Sequence, residues 1–402
     1  MARRPEATLV SAADLSPAQL AERARATGAL AIDTEFMGEG RYRSLLCLIQ
    51  IAVQGPEGLD GPSDIAVVDP LDPHGPDITP LAEVLADPTV EIVMHAGRQD
   101  VALLRREWRT DVTNVFDTQV AAGFAGMRAQ LGYEALLNQT LGVRLAKSAS
   151  FTRWDRRPLS DEQETYARED VEHLLQAAAA LKDRLLELGR LDWATEECRA
   201  LESATDGRDV DHVLGRLPKS ASLDPEQRAV ARVLVAWREE TAASEDRPVQ
   251  SVLADAGLVE VARRRPTDLE KLRQIRGLHE GVVRRRGADL VATVARGREQ
   301  PPIAVDSTKP LPTDPDDAGL IVLAEALVRA LADEAQVAYE LLATRADLQR
   351  IVSAERAGAP EPDVRALSGW RRAVVGEELL ALLRGERTLR VTDGLRLQVE
   401  TR

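Results

Sequence analysis

The sequence predicts an α/β N-terminal domain, a mixed sheet with flanking helices, followed by two all-α helical domains. Three observations carry that expectation. Apolar runs of strand length open the chain as a meander and then alternate with helical patterns up to about residue 190. After Leu191 strand signals mostly vanish, and residues 223–298 and 318–385 read as helical. Between those two segments lies EQPPIAVDSTKPLPTDPD, a polar, Pro-rich stretch of linker type.

The elements follow in order. Ala29 to Asp33 and Leu45 to Val53 are strands, separated by a Gly-rich turn around Gly38 to Gly40. Gln54 to Asp64 bends back into IAVVDP, which completes a three-strand meander. Leu81 to Ala86 is helical, Glu91 to His95 is a short strand, and Gly97 turns the chain into a helix carrying Val101, Leu103 and Leu104. Phe116 to Ala122 begins another helical segment and Tyr133 to Leu141 a further one. Ser160, with Gln163 at the capping-box position, opens a helix running from about Asp161 to Leu188. Asp224-Pro225-Glu226 opens the first all-α unit. The two all-α units read as weak repeats: LVAWREETA resembles LVRALADEA, and IRGLHEGVVRRRGADLVATVARG resembles LSGWRRAVVGEELLALLRG. The tail Thr388 to Glu400 alternates around Asp393-Gly394, a hairpin signal. The expected domains are residues 1–205, 218–299 and 317–402, with 300–316 as linker and the hairpin closing the last.

Composition narrows the function classes. The chain has 402 residues, 44% of them hydrophobic, enough for more than one core. No stretch approaches the ~20 apolar residues of a membrane span, and MARRPEATLV lacks a secretory apolar region. Cys47 and Cys198 make neither a disulfide framework nor a metal-spaced cluster, so a cytoplasmic protein without a membrane partner is expected. A net charge of −14 argues mildly against nucleic acid. The distribution softens that: Arg263 to Arg298 holds eleven Arg and Lys against four Asp and Glu, a candidate phosphate footprint.

Four acidic side chains concentrate the chemistry. Asp33 and Glu35, two apart on a strand, present carboxylates to one point. Tyr166 and Asp170, four apart on a helix, share a face. Asp100 falls in the first turn after Gly97. Converged, these groups make an oxygen-rich site for hard cations such as Mg²⁺ or Mn²⁺. Two such ions, roughly 3.5–4 Å apart, activate a water and stabilise a leaving oxygen in phosphodiester cleavage. Each piece alone has an ordinary reading: a strand end with a salt bridge, a surface helix face, an acid favoured at a helix start. Their order and context lift the case.

AIDTEFMGEGRYRSLLCLIQIA, HAGRQDVALL, VFDTQVAA and KSASFTRWDRRPLSDEQETYAREDVEHLL closely resemble the ribonuclease D family, 3′–5′ exoribonucleases of the DEDD superfamily. The likeness spans roughly residues 28–190, with three motifs in the family's order. It implies a ribonuclease H-like sheet and metal-ligating acids at Asp33, Glu35, Asp100 and Asp170. Tyr166, preceded by Thr165, matches the tyrosine form of the third motif and would orient the attacking water. The helical units resemble HRDC domains, nucleic-acid-binding modules. The resemblance further implies two divalent ions, RNA substrates, tRNA precursors among them, nucleoside 5′-monophosphate products, and a monomer with no obligate protein partner. Phe36, Met37, His95 and Gln99 are candidates to touch substrate. Arg264 and Arg285, within the triplets Arg263–Arg265 and Arg284–Arg286, are candidates for the RNA backbone. Lys147 and Arg153 bind phosphate or are plain surface charge. Gln99 stands where the family often has an acid, and Asp117 is expected to anchor a helix start rather than catalyse. The alternatives are a DNA-directed 3′–5′ exonuclease, which the same acids serve, or a non-catalytic RNA-binding protein on this fold, which the four intact acids disfavour.

Overall fold

The computed structural model describes residues 15–145, 153–304, 314 and 316–401. They fall into two units: Met1–Glu35, Leu46–Thr205 and Pro310–Arg402 form the first, and Phe36–Leu45 with Asp206–Lys309 the second.

Helix α1 (Pro17–Thr27) begins at a Ser16–Gln19 capping box and stops at Gly28, whose φ of 76° suits glycine. Strand β1 (Ala29–Met37) follows, then β2 (Leu45–Val53) and β3 (Asp64–Val68). After α2 (Thr79–Leu85) come β4 (Glu91–Met94), α3 (Arg98–Trp108), β5 (Val115–Asp117), α4 (Thr118–Phe124) and α5 (Tyr133–Thr140). The five strands lie in the order β3-β2-β1-β4-β5. β2 and β3 are antiparallel, whereas β4 pairs in parallel with both β1 and β5. The mixed sheet expected from the sequence is therefore present. Its central strands are buried on both faces: Leu30, Ala31 and Ile32 of β1 and Leu46 to Val53 of β2 are all buried, and all of these but Gln50 are apolar.

Two expectations need correction. Phe116 and Asp117 lie on β5, not in the helix, which starts at Thr118. The single helix foreseen from Asp161 to Leu188 is two, α6 (Asp161–Glu172) and α7 (Leu174–Glu187). The break falls at His173, whose backbone leaves the helical region at ψ 7° and whose N–H turns to Val171. Ser63 Oγ donates to the Glu172 carbonyl at 3.2 Å, satisfying one acceptor that the break exposes. α8 (Leu191–Glu202) follows.

Among the described residues of the second unit, the regular structure outside the Phe36–Leu45 segment is helical. It holds α9 (Val210–Arg216), α10 (Pro225–Ser244), α11 (Val249–Val252), α12 (Asp255–Arg264), α13 (Leu269–Arg273) and α14 (Glu280–Arg298). Asp224 caps α10 with a capping box, as the sequence suggested. α10 packs on α9, α12 and α14 around Leu234, Val235, Leu258, Leu290 and Val294. Gly297 lets α14 approach α10 closely: a Cβ there would meet Val230 Cα at 2.8 Å.

The rest of the first unit repeats that order of a long helix, a single turn and a medium helix. α15 (Asp317–Ala335), α16 (Tyr339–Leu342) and α17 (Arg345–Ala357) precede α18 (Gly369–Arg371), which runs through a π-turn at Arg372–Gly376 into α19 (Glu377–Leu383). α15 packs on α17 and α19, as α10 packs on α12 and α14. The tail is a hairpin of β6 (Arg387–Val391) and β7 (Leu397–Thr401), as read from the sequence. This region shares one apolar core with the sheet module. Trp370 stacks on Trp193 and meets Phe124 edge-on, both at 5.0 Å. Arg190 donates to the carbonyls of Phe124 at 3.1 Å and Gln336 at 2.9 Å, tying the two parts together. The Pro-rich linker lies largely outside the described residues.

Candidate active site

β1 delivers the first two acids. It runs on past Asp33 to Met37, so alternation puts Asp33 and Glu35 on one face and Thr34 on the other. Thr34 is buried and its Oγ1 donates to Asp100 Oδ1, which fixes one oxygen of the third acid.

Asp100 is placed by a turn that Asp117 holds. The chain leaves β4 through His95, Ala96 at φ 57°, and Gly97, then enters α3. Asp117, buried at the end of β5, accepts backbone N–H groups from Ala96 at 3.1 Å and Gly97 at 2.8 Å. It also accepts from Gln119 and Val120, capping α4. Gly97 has no room for a side chain, since a Cβ would sit 2.6 Å from Met94 Sδ. The sequence pointed to a helix-anchoring role for Asp117 but not to its grip on the second-motif turn.

α6 brings Tyr166 and Asp170. Its N-terminus carries the foreseen capping box between Ser160 and Gln163. The segment before it is fastened to the sheet by Arg157, which pairs with Asp69 and donates to the Cys47 carbonyl at 2.7 Å. Tyr166 lies 6.0 Å, ring to ring, from buried Trp154.

Withdrawal from water pushes all four acids upward, and repulsion by the other site acids adds to it at Asp33 and Glu35. Burial raises Asp33 well above the carboxylate range, and the charges of Asp100, Asp170 and Glu35 add to it. Glu35 is raised to about 8 by burial, then by Asp170 and Asp100. Asp170 rises to about 7, through burial and then Glu169, and Asp100 to about 6 through burial, opposed by the Thr34 hydrogen bond. The Tyr166 phenol is raised too, by burial and then by Asp170, Glu35 and Asp33. Its hydroxyl therefore keeps its proton at neutral pH.

The donor chemistry fits a hard divalent cation. Among the described residues none of the four carboxylates makes an ion pair, so positive charge is what the cluster lacks. The spacing is wider than a shared ligand set: among the described residues no three Asp, Glu, His or Cys groups stand close enough to hold one ion.

Other predicted residues are dispersed. Phe36 and Met37 are half-buried at the end of β1, and Gln99 is exposed in the first turn of α3. The His95 ring contacts Thr118 Oγ1 at 2.9 Å through Nδ1 and leans on Tyr133 at 5.5 Å. Thr118 Oγ1 in turn donates to the Met94 carbonyl at 3.0 Å, and burial lowers the His95 pKa, opposed by Asp117 and by a hydrogen bond to the Leu131 backbone. Tyr133 was not singled out from sequence. It faces the acids closely enough that Asp170 and Asp33, after burial, raise its phenol. Arg264 is exposed beside Glu260 at 3.8 Å, and Arg285 donates to the Gly281 carbonyl. Arg153 pairs with Asp155, and Lys147 lies outside the described residues.

A family model described as 3′–5′ exonuclease matches residues 11–186, and one described as HRDC domain matches residues 227–294. A curated ribonuclease D of Granulibacter bethesdensis is 36% identical, covering 99% of this chain and 98% of its own. A ribonuclease D of Gluconacetobacter diazotrophicus is also 36% identical, over 94% and 93%. The crystal structure of Escherichia coli RNase D, an exoribonuclease involved in structured RNA processing, aligns with a TM-score of 0.75 at 28% identity. That alignment covers 92% of this chain and 96% of the other.

Proposed function

The chain belongs to the ribonuclease D family of 3′–5′ exonucleases, and from that premise we propose that it trims RNA 3′ ends by metal-dependent hydrolysis. In this reading it releases nucleoside 5′-monophosphates from structured RNAs such as tRNA precursors, as a cytoplasmic monomer. Residues 1–205 are its catalytic domain, and 218–299 and 317–402 are HRDC-type domains. The observation that carries the proposal is the group of four carboxylates, withdrawn from water, repelling one another and lacking any cationic partner among the described residues.

Asp33, Glu35, Asp100 and Asp170 would hold the ions. Bound there, two divalent cations supply acidity to the attacking water and neutralise charge on the leaving 3′ oxygen. The chain's own groups do the rest. Thr34 orients Asp100, and Asp117 fixes the turn from which Asp100 projects. Tyr166, kept protonated, donates a hydrogen bond that aims the water's lone pair at phosphorus. Water oxygen bonds to phosphorus, the P–O3′ bond breaks, and the departing 3′ oxygen takes a proton.

The test is a 3′-extended tRNA incubated with Mg²⁺ or Mn²⁺, its products separated by chromatography, beside a DNA strand of matched sequence. Stepwise release of 5′-monophosphates from the RNA, stopped by EDTA, is expected. Release from DNA in preference would redirect the assignment to DNA repair chemistry.

A further inference from the structure

The loop from β1 to β2 belongs to the helical unit, although it grows out of the acid-bearing strand. Glu35 ends a stretch of the first unit, and Phe36–Leu45 group with Asp206–Lys309 in the second. The chain leaves β1 at Met37 and turns through Gly38 to Gly40. Gly40, at φ 76°, supplies a left-handed step that suits glycine, and Arg41 and Tyr42 follow it.

A seat on α10 receives those two residues. Tyr42 Oη donates to Glu239 at 3.1 Å, and Glu239, itself buried, also pairs with Arg208 at 2.9 Å. The Asp246 carboxylate accepts the Tyr42 N–H on Oδ1 at 3.2 Å and pairs through Oδ2 with Arg41 Nη2 at 2.8 Å. Asp246 stands just past α10 at φ 47°, a left-handed backbone that Asp adopts more readily than most residues. The Tyr42 ring packs with Trp237 against Ala242, Val249 and Val252. Two hydrogen bonds, an ion pair and an apolar contact therefore converge on adjacent residues, across 204 positions of sequence from Tyr42 to Asp246. Polar groups matched in this way hold one geometry.

We infer that Tyr42 is a positioning residue for hydrolysis, and that the helical unit, through Glu239 and Asp246, fixes the course of the strand end that carries Glu35. Six residues separate Glu35 from Tyr42, two of them still in β1, so releasing Tyr42 loosens the end of that strand. Catalysis is sensitive to such loosening, because a misplacement of about 1 Å costs rate steeply. The inference rests on the exonuclease reading. Glu239 and Asp246 lie within residues 227–294, matched as HRDC domain, so that domain acquires a part in assembling the catalytic face, separate from any contact it makes with RNA.

The test uses the full chain with three variants. Tyr42→Ala empties the seat, and Tyr42→Phe keeps the ring. Asp246→Asn keeps an acceptor for the Tyr42 N–H but drops the charge opposite Arg41. The substrate is a trinucleotide with Mg²⁺, too short to gain from an extended RNA-binding surface. Tyr42→Ala is expected to lower kcat about tenfold with KM changed less than about twofold. Tyr42→Phe should recover most of that loss, and Asp246→Asn should lower kcat about threefold. The double variant Tyr42→Ala/Asp246→Asn should be no slower than Tyr42→Ala, because both act through one seat. Hydrogen exchange in EDTA supplies a readout without turnover: amides from Glu35 to Arg43 should exchange faster in Tyr42→Ala and in Asp246→Asn. Should Tyr42→Ala fail to fold, Asp246→Asn carries the same comparison. Unchanged kcat in the folded variants would overturn the inference. So would a raised KM at constant kcat, which would make the loop a binding surface. A parent protein that releases no nucleotide from any RNA would remove the nuclease reading, and exchange would then decide alone. Faster exchange reaching Glu35 in Asp246→Asn would uphold the seat, and unchanged exchange would end it.

Discussion

The Asp117 carboxylate accepts the backbone N–H of Gly97 at 2.8 Å, across twenty residues of sequence. One side chain thereby caps α4 and fixes the turn from which Asp100 projects. Asp117→Ala leaves several N–H groups without their acceptor, at a cost of roughly 3 kcal/mol in stability. Urea unfolding measures this. Below the transition, nuclease activity should fall further than the folded fraction does, because Asp100 loses its placement. An unchanged midpoint with full activity would reduce Asp117 to an ordinary cap.

The raised acids predict a pH dependence of the metal-free protein. Glu35 at about 8, Asp170 at about 7 and Asp100 at about 6 bind protons more tightly folded than unfolded. Their favourable contribution is complete below the unfolded carboxylate value of about 4. It is lost as pH rises through the folded values, that is, between about 4 and 8. In EDTA the melting temperature should therefore drop from about pH 5 to about pH 8, and Glu35→Gln should flatten the fall. Mg²⁺ should restore stability at the alkaline end. A flat profile in EDTA would mean the acids are not crowded.

Tyr166→Phe removes the hydroxyl but keeps the ring beside Trp154. If orientation of water is its task, kcat should fall roughly 10- to 100-fold with little change in KM. Equal turnover in the variant would take Tyr166 out of the reaction.

Trp370 joins the C-terminal helices to the sheet module through Phe124 and Trp193. Trp370→Ala should cost about 3 to 5 kcal/mol, and should make residues 316–401 more sensitive to limited proteolysis. Gly123→Leu attacks the same seam, because a Cβ at that position would already lie 2.7 Å from Leu341 Cδ1. Wild-type resistance in both variants would show that the seam does not hold the region in place.

Much of the site was legible because its residues obey local periods. Two apart on β1 and four apart on α6 are rules of single elements, and so was the Asp224 cap of α10. What escaped was tertiary. β5 is only three residues long, too short to show alternation, so Phe116 and Asp117 read as the start of α4. The break at His173 leaves the apolar spacing of α6 and α7 undisturbed, and its partner Ser63 is over a hundred residues away. Arg265 and Arg286 look free in sequence, yet each meets a glutamate about forty residues upstream. Tyr133 carries no motif at all, and only the fold brings it toward Asp170 and Asp33.

The most direct measurement is anomalous scattering from crystals of the protein soaked in Mn²⁺, with Asp33→Asn crystals treated alike. Two manganese peaks among the oxygens of Asp33, Glu35, Asp100 and Asp170, lost or reduced to one in the variant, are the predicted result. Crystals of active enzyme with no manganese within reach of those oxygens would contradict it.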